Sequence, residues 1–243
     1  MASKTLGSNL RAVLFHYRHG AAIIPLFLAL AWFLLLQEAN TRPVFVMHSP
    51  LDDYIPFVKE MVMPYLLWFG MMLAVLCYLL IRAPADFISL AIFMAVMEFS
   101  ACILYALLPN GHGVRPIVAE NDFFSELVRY IHSVDRPTNC VPSLHVAQTL
   151  ACLIACLKHR NFGRARRPVL WGMFILSLLI CMSTVMIKQH SILDAVGSFA
   201  MAAACYPFVY VFRKRPLEDK GFVYPYPCFF KPRSSRRNRF HPR

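Results

Sequence analysis

The sequence predicts an all-α integral membrane bundle of six transmembrane helices, and three observations carry that prediction. Of the 243 residues, 58% are hydrophobic and only 16% charged, whereas a soluble domain carries about a quarter charged residues. The mean hydropathy is +0.51, too apolar for a chain of this length to cover itself in water. Six apolar runs reach or approach the ~20 residues needed to span a bilayer core.

The runs cover 21–39, 61–81, 87–108, 143–157, 169–187 and 191–212. The fourth is short for a full crossing. The first is too long, and too poor in small residues at its end, for a removable signal peptide. Two amphipathic stretches accompany the bundle. Leu10, Val13, Leu14 and Tyr17 recur at helical spacing with Arg11 and Arg18 off the stripe, which reads as an N-terminal interfacial helix. Phe123, Phe124, Leu127, Val128 and Ile131 form a second stripe, with Asn121 or Asp122 as its cap, an amphipathic helix expected on the outer face. The domain reading is a basic interfacial segment at 1–20, a membrane domain at 21–212 and a basic tail at 213–243. The eight cysteines show no C-x-x-C or zinc spacing and read as small core residues.

The formal net charge is +12, which by itself would allow nucleic acid as a partner. The positions of the charges argue for topology instead. With six spans both termini share a side, and 19 of the 25 lysines and arginines fall there. Arg42, Lys59, Arg115, Arg129, Arg136 and Lys188 fall on the other. The positive-inside rule then places both termini in the cytoplasm and the remaining loops on the periplasmic, extracellular or lumenal face. The run from Lys231 to Arg243 is a solvated cytosolic end, with binding to anionic lipid as its alternative.

Two outer loops each deliver a histidine to a helix start. In the long one, Pro142, Ser143, Leu144 and His145 suit a first helical turn, whose free N–H groups and dipole favour an anion. In the short one, His190 and Asp194 are four residues apart and share a helix face. The aspartate accepts from one ring nitrogen and leaves the other free to attack. Lys188 stands close by, a cation suited to a phosphoryl group. The other seven histidines read as ordinary interfacial residues. His145, His190 and Asp194 form an alternative metal set, which Lys188, Arg136 and Arg115 oppose by repelling a cation. Glu98, mid-span, is either functional or a hydrogen-bonded structural group.

These residues resemble the type-2 phosphatidic acid phosphatase superfamily. Pro142-Ser143-Leu144-His145 matches its Pro-Ser-x-His segment, and Ser183, His190 and Asp194 match the spacing of its Ser-Arg-x5-His-x3-Asp segment. Asn139 to Val146, Lys188-Gln189-His190 and the segment Asp52 to Phe57 are similar to the branch of inositol phosphorylceramide synthases and their bacterial relatives. Thr184 stands where many members carry arginine. Arg115-Pro116 and Arg136-Pro137 are rival matches to the Lys/Arg-Pro segment. The resemblance implies a phosphohistidine on His190, oriented by Asp194, with His145 as acid and then base. Ser143, Ser183, Lys188, Arg136 and Arg115 are the expected phosphate-binding residues, and no metal or cofactor is required. The expected partners are a lipid phosphate substrate and membrane lipids, with no nucleic acid. A head-group phosphotransferase shares the same first step. A non-enzymatic transporter or structural protein is the reading from another class, with Glu98 as its supporting feature. Polyprenyl pyrophosphate, phosphatidic acid, phosphatidylglycerol phosphate and sphingolipid esters are all open as substrates.

Overall fold

The computed structural model describes residues 16–113 and 115–212. The chain enters through a 3-10 turn, Arg18–Ile23, and continues as α1, Ile24–Ala39, with a proline in its first turn. A short strand β1, Phe45–Met47, precedes the small helix α2, Pro50–Tyr54. Helix α3 spans Val62–Arg82, and α4, Pro84–Leu107, starts one residue later on another proline, whose missing N–H costs nothing in a first turn. Strand β2, Asn110–His112, and the amphipathic helix α5, Phe123–Val134, occupy the long loop. Helices α6, Leu144–Lys158, α7, Arg166–Met186, and α8, Ile192–Tyr210, complete the bundle.

Among the described residues, five segments are long and apolar enough to cross a membrane: Arg18–Ala39, Lys59–Arg82, Pro84–Leu107, Gly163–Met186 and Ile192–Tyr210. The sixth apolar run becomes α6, of 15 residues. At 1.5 Å per residue it rises about 22 Å, against a hydrocarbon core of about 30 Å. The surface is correspondingly apolar: Leu35, Trp171 and Phe208 are each about two-thirds or more exposed, which suits lipid rather than water as the surrounding solvent. The chain is thus an all-α integral membrane bundle.

Helix α4 is its axis. Its apolar window is 61% buried, against 11% for the first segment, and it packs on α1, α3, α6 and α8. The short α6 is inserted beside it. Ala147, Ala151 and Ala155 recur every four residues, with Cys152 and Cys156 next to them, and all five are buried. Such a row of small side chains lets neighbouring backbones approach, which is how helices gain contact where lipid supplies no hydrophobic drive.

At the end carrying Ser143 and His190, the loops are knitted together. β1 and β2 pair in parallel, Phe45 with Asn110 through Met47 with His112, and Gly111 bridges to Thr138. A Cβ on Gly111 would collide with the Pro137 carbonyl and meet the Pro43 ring at 2.9 Å, so only glycine fits. This small sheet was absent from the sequence reading, because three-residue strands carry no usable alternation. Helix α5 forms where its stripe indicated, capped by Asp122, which accepts from the Phe124 and Ser125 N–H groups at 3.0 and 3.3 Å. Its buried Val128 and Ile131 pack with Val62, Tyr65 and Ile187, and His132 Nε2 donates to the Ile187 carbonyl at 3.0 Å. The expected interfacial stretch around Leu10 and the basic tail at 213–243 lie outside the described residues.

Ala151 is fully buried in the α6 contact. Ala151→Leu should lower stability by about 1–3 kcal/mol through overpacking, read as a lower unfolding temperature in detergent. Leu107→Ala, on the exposed surface, should change it by no more than about 0.5 kcal/mol.

Candidate active site

His190 occupies the hinge between two helices, and both helix ends are built to fix it. Helix α7 ends with Lys188 in the left-handed region (φ 57°), where glycine is usual. The Lys188 N–H donates to the Val185 carbonyl and the Gln189 N–H to Thr184, at 3.1 and 3.0 Å, the bond pair of a Schellman turn. The Lys188 ammonium donates to the carbonyls of Asp52 and Ile55 at 2.7 and 2.6 Å, which secures the left-handed residue. The His190 N–H also donates to Thr184. One residue later Ser191 caps α8.

That cap draws on two carboxylates. Asp194 Oδ2 accepts from His190 Nδ1 at 2.9 Å and from the Ser191 N–H at 3.1 Å. Asp52, from α2, accepts from Ser191 Oγ at 2.6 Å, from the Ile192 N–H at 2.9 Å and from the Ser49 N–H at 2.9 Å. Burial pushes the Asp52 carboxyl upward, but these donors outweigh it and hold it below the usual carboxylate range. Because a carboxylate only accepts, the His190 proton sits on Nδ1 and Nε2 carries the free lone pair.

His145 is delivered by the segment before α6. Asn110 binds that segment by accepting from the Cys140 and Val141 N–H groups at 2.9 and 2.8 Å and donating to the Val141 carbonyl at 3.1 Å. The Tyr105 hydroxyl donates to the Pro142 carbonyl. Ser143 is the N-cap itself, so Pro142 precedes the helix instead of opening it. The Ser143 N–H donates to the Asp194 carbonyl at 3.2 Å, and Ser198 Oγ donates to the Ser143 carbonyl at 2.8 Å. Gly197 permits this contact: a Cβ there would stand 3.0 Å from the Val141 side chain.

The two imidazoles face each other with centroids 6.0 Å apart. His145 is stacked on Tyr65 and lies against Trp68, each at 4.4 Å between centroids, and its Nε2 has no protein partner. Both histidines line one end of a cavity of about 570 Å³. The cavity continues between α1, α3, α4 and α6 to Gly20, Leu80 and Phe87 at the opposite end of the bundle. Its walls are mostly apolar side chains, and the two histidines stand at its head. Asp135 joins that head. Its carboxylate accepts from the Tyr65 hydroxyl at 2.7 Å. Burial pushes it up, yet His145, the Tyr65 hydroxyl and His190 together hold it below its usual range.

The residues expected to bind phosphate are distributed unevenly. Arg136 lines the cavity, bonded to the Gln37 carbonyl and the Glu38 carboxylate. Arg115 donates to the carbonyls of His132 and Asp135, both at 2.6 Å. Ser143 Oγ accepts from the Val146 N–H at 3.5 Å, and Ser183 Oγ donates to the Ile180 carbonyl at 2.7 Å. Lys188 is held on carbonyls as described. Three cavity residues that the sequence did not single out offer unpartnered atoms at the head: Thr138 Oγ1, Asn139 Nδ2 and Gln189 Oε1. Their signal was only adjacency to the two motifs. Asp52 opens a segment marked only by its resemblance to the synthase branch, and nothing local tied it to His190, 138 residues away.

A metal set is present on distance alone. Ligand atoms of Cys140, His190 and Asp194 lie within 4.8 Å of one another. Burial pushes the Cys140 thiol far above its usual range, so it is a neutral, weak ligand. His190 Nδ1 already holds Asp194. The donor set fits a hydrogen-bonded dyad better than a cation.

Asp52→Asn should destabilise the protein by about 1–3 kcal/mol at neutral pH, since the amide presents an N–H to donors that need an acceptor. A depressed carboxylate stabilises fully above its unfolded pKa and loses that contribution as the pH falls through the folded one. The unfolding-temperature gap between wild type and variant should therefore be widest at pH 6–8 and close in acid, measured by thermal unfolding in detergent across pH.

A family profile for the PAP2 superfamily matches residues 47–208. Neither curated proteins nor solved structures gave a match. The matched stretch contains Asp52, both histidine segments and the helices that present them, and the chain belongs to the PAP2 superfamily of phosphatases and phosphotransferases.

Proposed function

We propose that the protein is a membrane lipid phosphate or pyrophosphate phosphatase working through a phosphohistidine on His190. The observation that carries this reading is the His190–Asp194 dyad facing His145 at the head of a chain-shaped apolar cavity. A lipid phosphate has this shape: a dianionic head and a long apolar tail.

In the first step His190 Nε2 attacks phosphorus. The P–N bond forms as the P–O bond to the lipid breaks, and protonated His145 gives its proton to the departing alkoxide. Asp194 keeps the Nδ1 proton in place and offsets the charge that develops on the ring. In the second step water attacks phosphorus, His145 takes its proton, and the P–N bond breaks to release inorganic phosphate and neutral His190. Arg136, with Thr138 and Asn139, is the head-group cradle we assign, and Lys188 and Arg115 add positive potential from behind. Ser143 and Ser183 reach the phosphate only by leaving their present partners. The charge asymmetry of the loops supports an outer-face site with cytoplasmic termini.

The test is phosphate release by purified protein in detergent with EDTA, over a panel of lipid phosphates and pyrophosphates. Release should persist in EDTA and fall by about 10³-fold or more in His190→Ala and in His145→Ala. Transfer of phosphorus to an added lipid hydroxyl instead of water would identify the head-group phosphotransferase. Turnover indifferent to both substitutions, or substrate movement without turnover, would overturn the reading.

A further inference from the structure

Beneath the head, the cavity wall is apolar except for a cluster that the chemistry above leaves unused. Glu98 on α4 and Gln148 on α6 are 5% and 3% exposed, and both line the cavity. Gln148 Nε2 donates to Glu98 Oε2 at 3.0 Å and to the Met94 carbonyl at 3.5 Å. Facing a carboxylate and a carbonyl, the amide must turn its NH2 toward them, which leaves Oε1 as an acceptor. That oxygen is buried without a partner. Trp68 Nε1, also buried and also in the cavity wall, is a donor without a partner. Buried polar atoms are nearly always hydrogen-bonded, so orphans gathered in one cavity point to a ligand.

Their depth defines what that ligand carries. Gln148 follows His145 by three residues on the same helix, about 4.5 Å along its axis. Trp68 touches the His145 ring. With phosphorus between the histidines, the second and third carbons of the esterified alcohol reach this level.

We propose that Glu98, Gln148 and Trp68 form a neck-recognition site that selects lipid phosphates bearing a hydroxyl or an amide N–H on the second or third carbon from the phosphoester. This rests on the phosphatase reading of the same cavity. Such a group donates to Gln148 Oε1 or Glu98, and its oxygen accepts from Trp68. A monoacyl glycerol phosphate brings a free hydroxyl. The phosphate of an N-acylated amino diol brings an amide and a hydroxyl. A diacylglycerol phosphate brings only ester acceptors, and a polyisoprenyl phosphate brings neither. A site built around hydrogen bonds rejects the analogue that lacks them, because its own polar groups then stay unpaired.

The experiment compares kcat/KM for these four phosphates, matched in chain length, in wild type, Gln148→Leu and the near-isosteric Glu98→Gln. Wild type should favour the two donor-bearing lipids by about tenfold or more, the factor that corresponds to one hydrogen bond. Gln148→Leu should erase that preference, because kcat/KM for the donor-bearing lipids falls toward that for the donor-free ones, which lose no hydrogen bond. Glu98→Gln should reduce it, and this variant answers the question if Gln148→Leu fails to fold. The ratio between the monoacyl and amide lipids identifies which donor is read. Absence of a preference in wild type would overturn the proposal. So would an equal loss on all four lipids in Gln148→Leu, which is what a purely structural α4–α6 contact would give. Binding is read separately, as the rise in unfolding temperature of His190→Ala protein with monoacylglycerol, N-acylated amino diol or polyisoprenol. Selective stabilisation by the first two without phosphate release from any substrate would keep the neck site and overturn the phosphatase. Phosphate release without selectivity in either assay would do the reverse.

Discussion

The site depends on one constraint: the first turn of α8 must have its N–H groups satisfied inside the protein. A helix start leaves four orphan donors, and here water is a poor remedy because Ser191 and Asp194 are fully buried. Asp194 takes the Ser191 N–H, Asp52 takes that of Ile192, and Ser191 Oγ takes that of Leu193 at 3.2 Å. Two carboxylates are concentrated at a positive dipole end, where each is favoured. His190 is the last residue before this cap, and it acquires its partner from the same atom, Asp194 Oδ2, that caps the helix. Orientation of the imidazole and closure of the helix end are therefore one interaction.

A consequence follows for anion binding. Helix N-termini are ready phosphate sites when their N–H groups are free. The start of α8 is not free, because Asp194 and Asp52 occupy it. The start of α6 is closer to that role, yet Ser143 Oγ already takes the Val146 N–H. In the phosphatase reading we propose, phosphate recognition falls instead to side chains at the cavity head, where Asn139 Nδ2 and Thr138 Oγ1 stand without partners. Asn139 reaches this position through a left-handed backbone (φ 58°), an outlier of the kind that structures retain at functional places. Its Oδ1 accepts from Asn40 at 2.8 Å, which leaves its amide as the free donor.

Much of this was legible in the sequence because it is local. The apolar runs give the helices, the shortness of 143–157 foretells α6, and the stripe before it foretells α5 with Asn121 or Asp122 as cap, of which the structure uses Asp122. The His190–Asp194 bond needs only four-residue spacing. What escaped is what depends on distant chain returning to the same place. Asp52 caps a helix that begins 140 residues later, and the β1–β2 pair joins segments with no strand pattern of their own. The cations escaped for a different reason. Long side chains at a crowded loop end settle on whichever carbonyls are nearest, and sequence spacing carries no information about that choice.

The way those cations are held bears on the proposed chemistry. Lys188 is tied to the Asp52 and Ile55 carbonyls and Arg115 to the His132 and Asp135 carbonyls. A carbonyl fixes the position of a cation without cancelling its charge, whereas a carboxylate does both. Arg136 is the contrast: it is paired with Glu38 at the exposed rim, where such pairs contribute little and exchange readily. Two rigid charges behind the histidines, with Asp135 offsetting part of that on Arg115, and one exchangeable charge at the rim make a field that is already arranged before an anion arrives. Preorganised charge of this kind stabilises a developing phosphoryl negative charge without reorganisation cost. In the reading we propose, the residues that looked in sequence like direct phosphate ligands would act through their charge even where their donors are spent on the backbone.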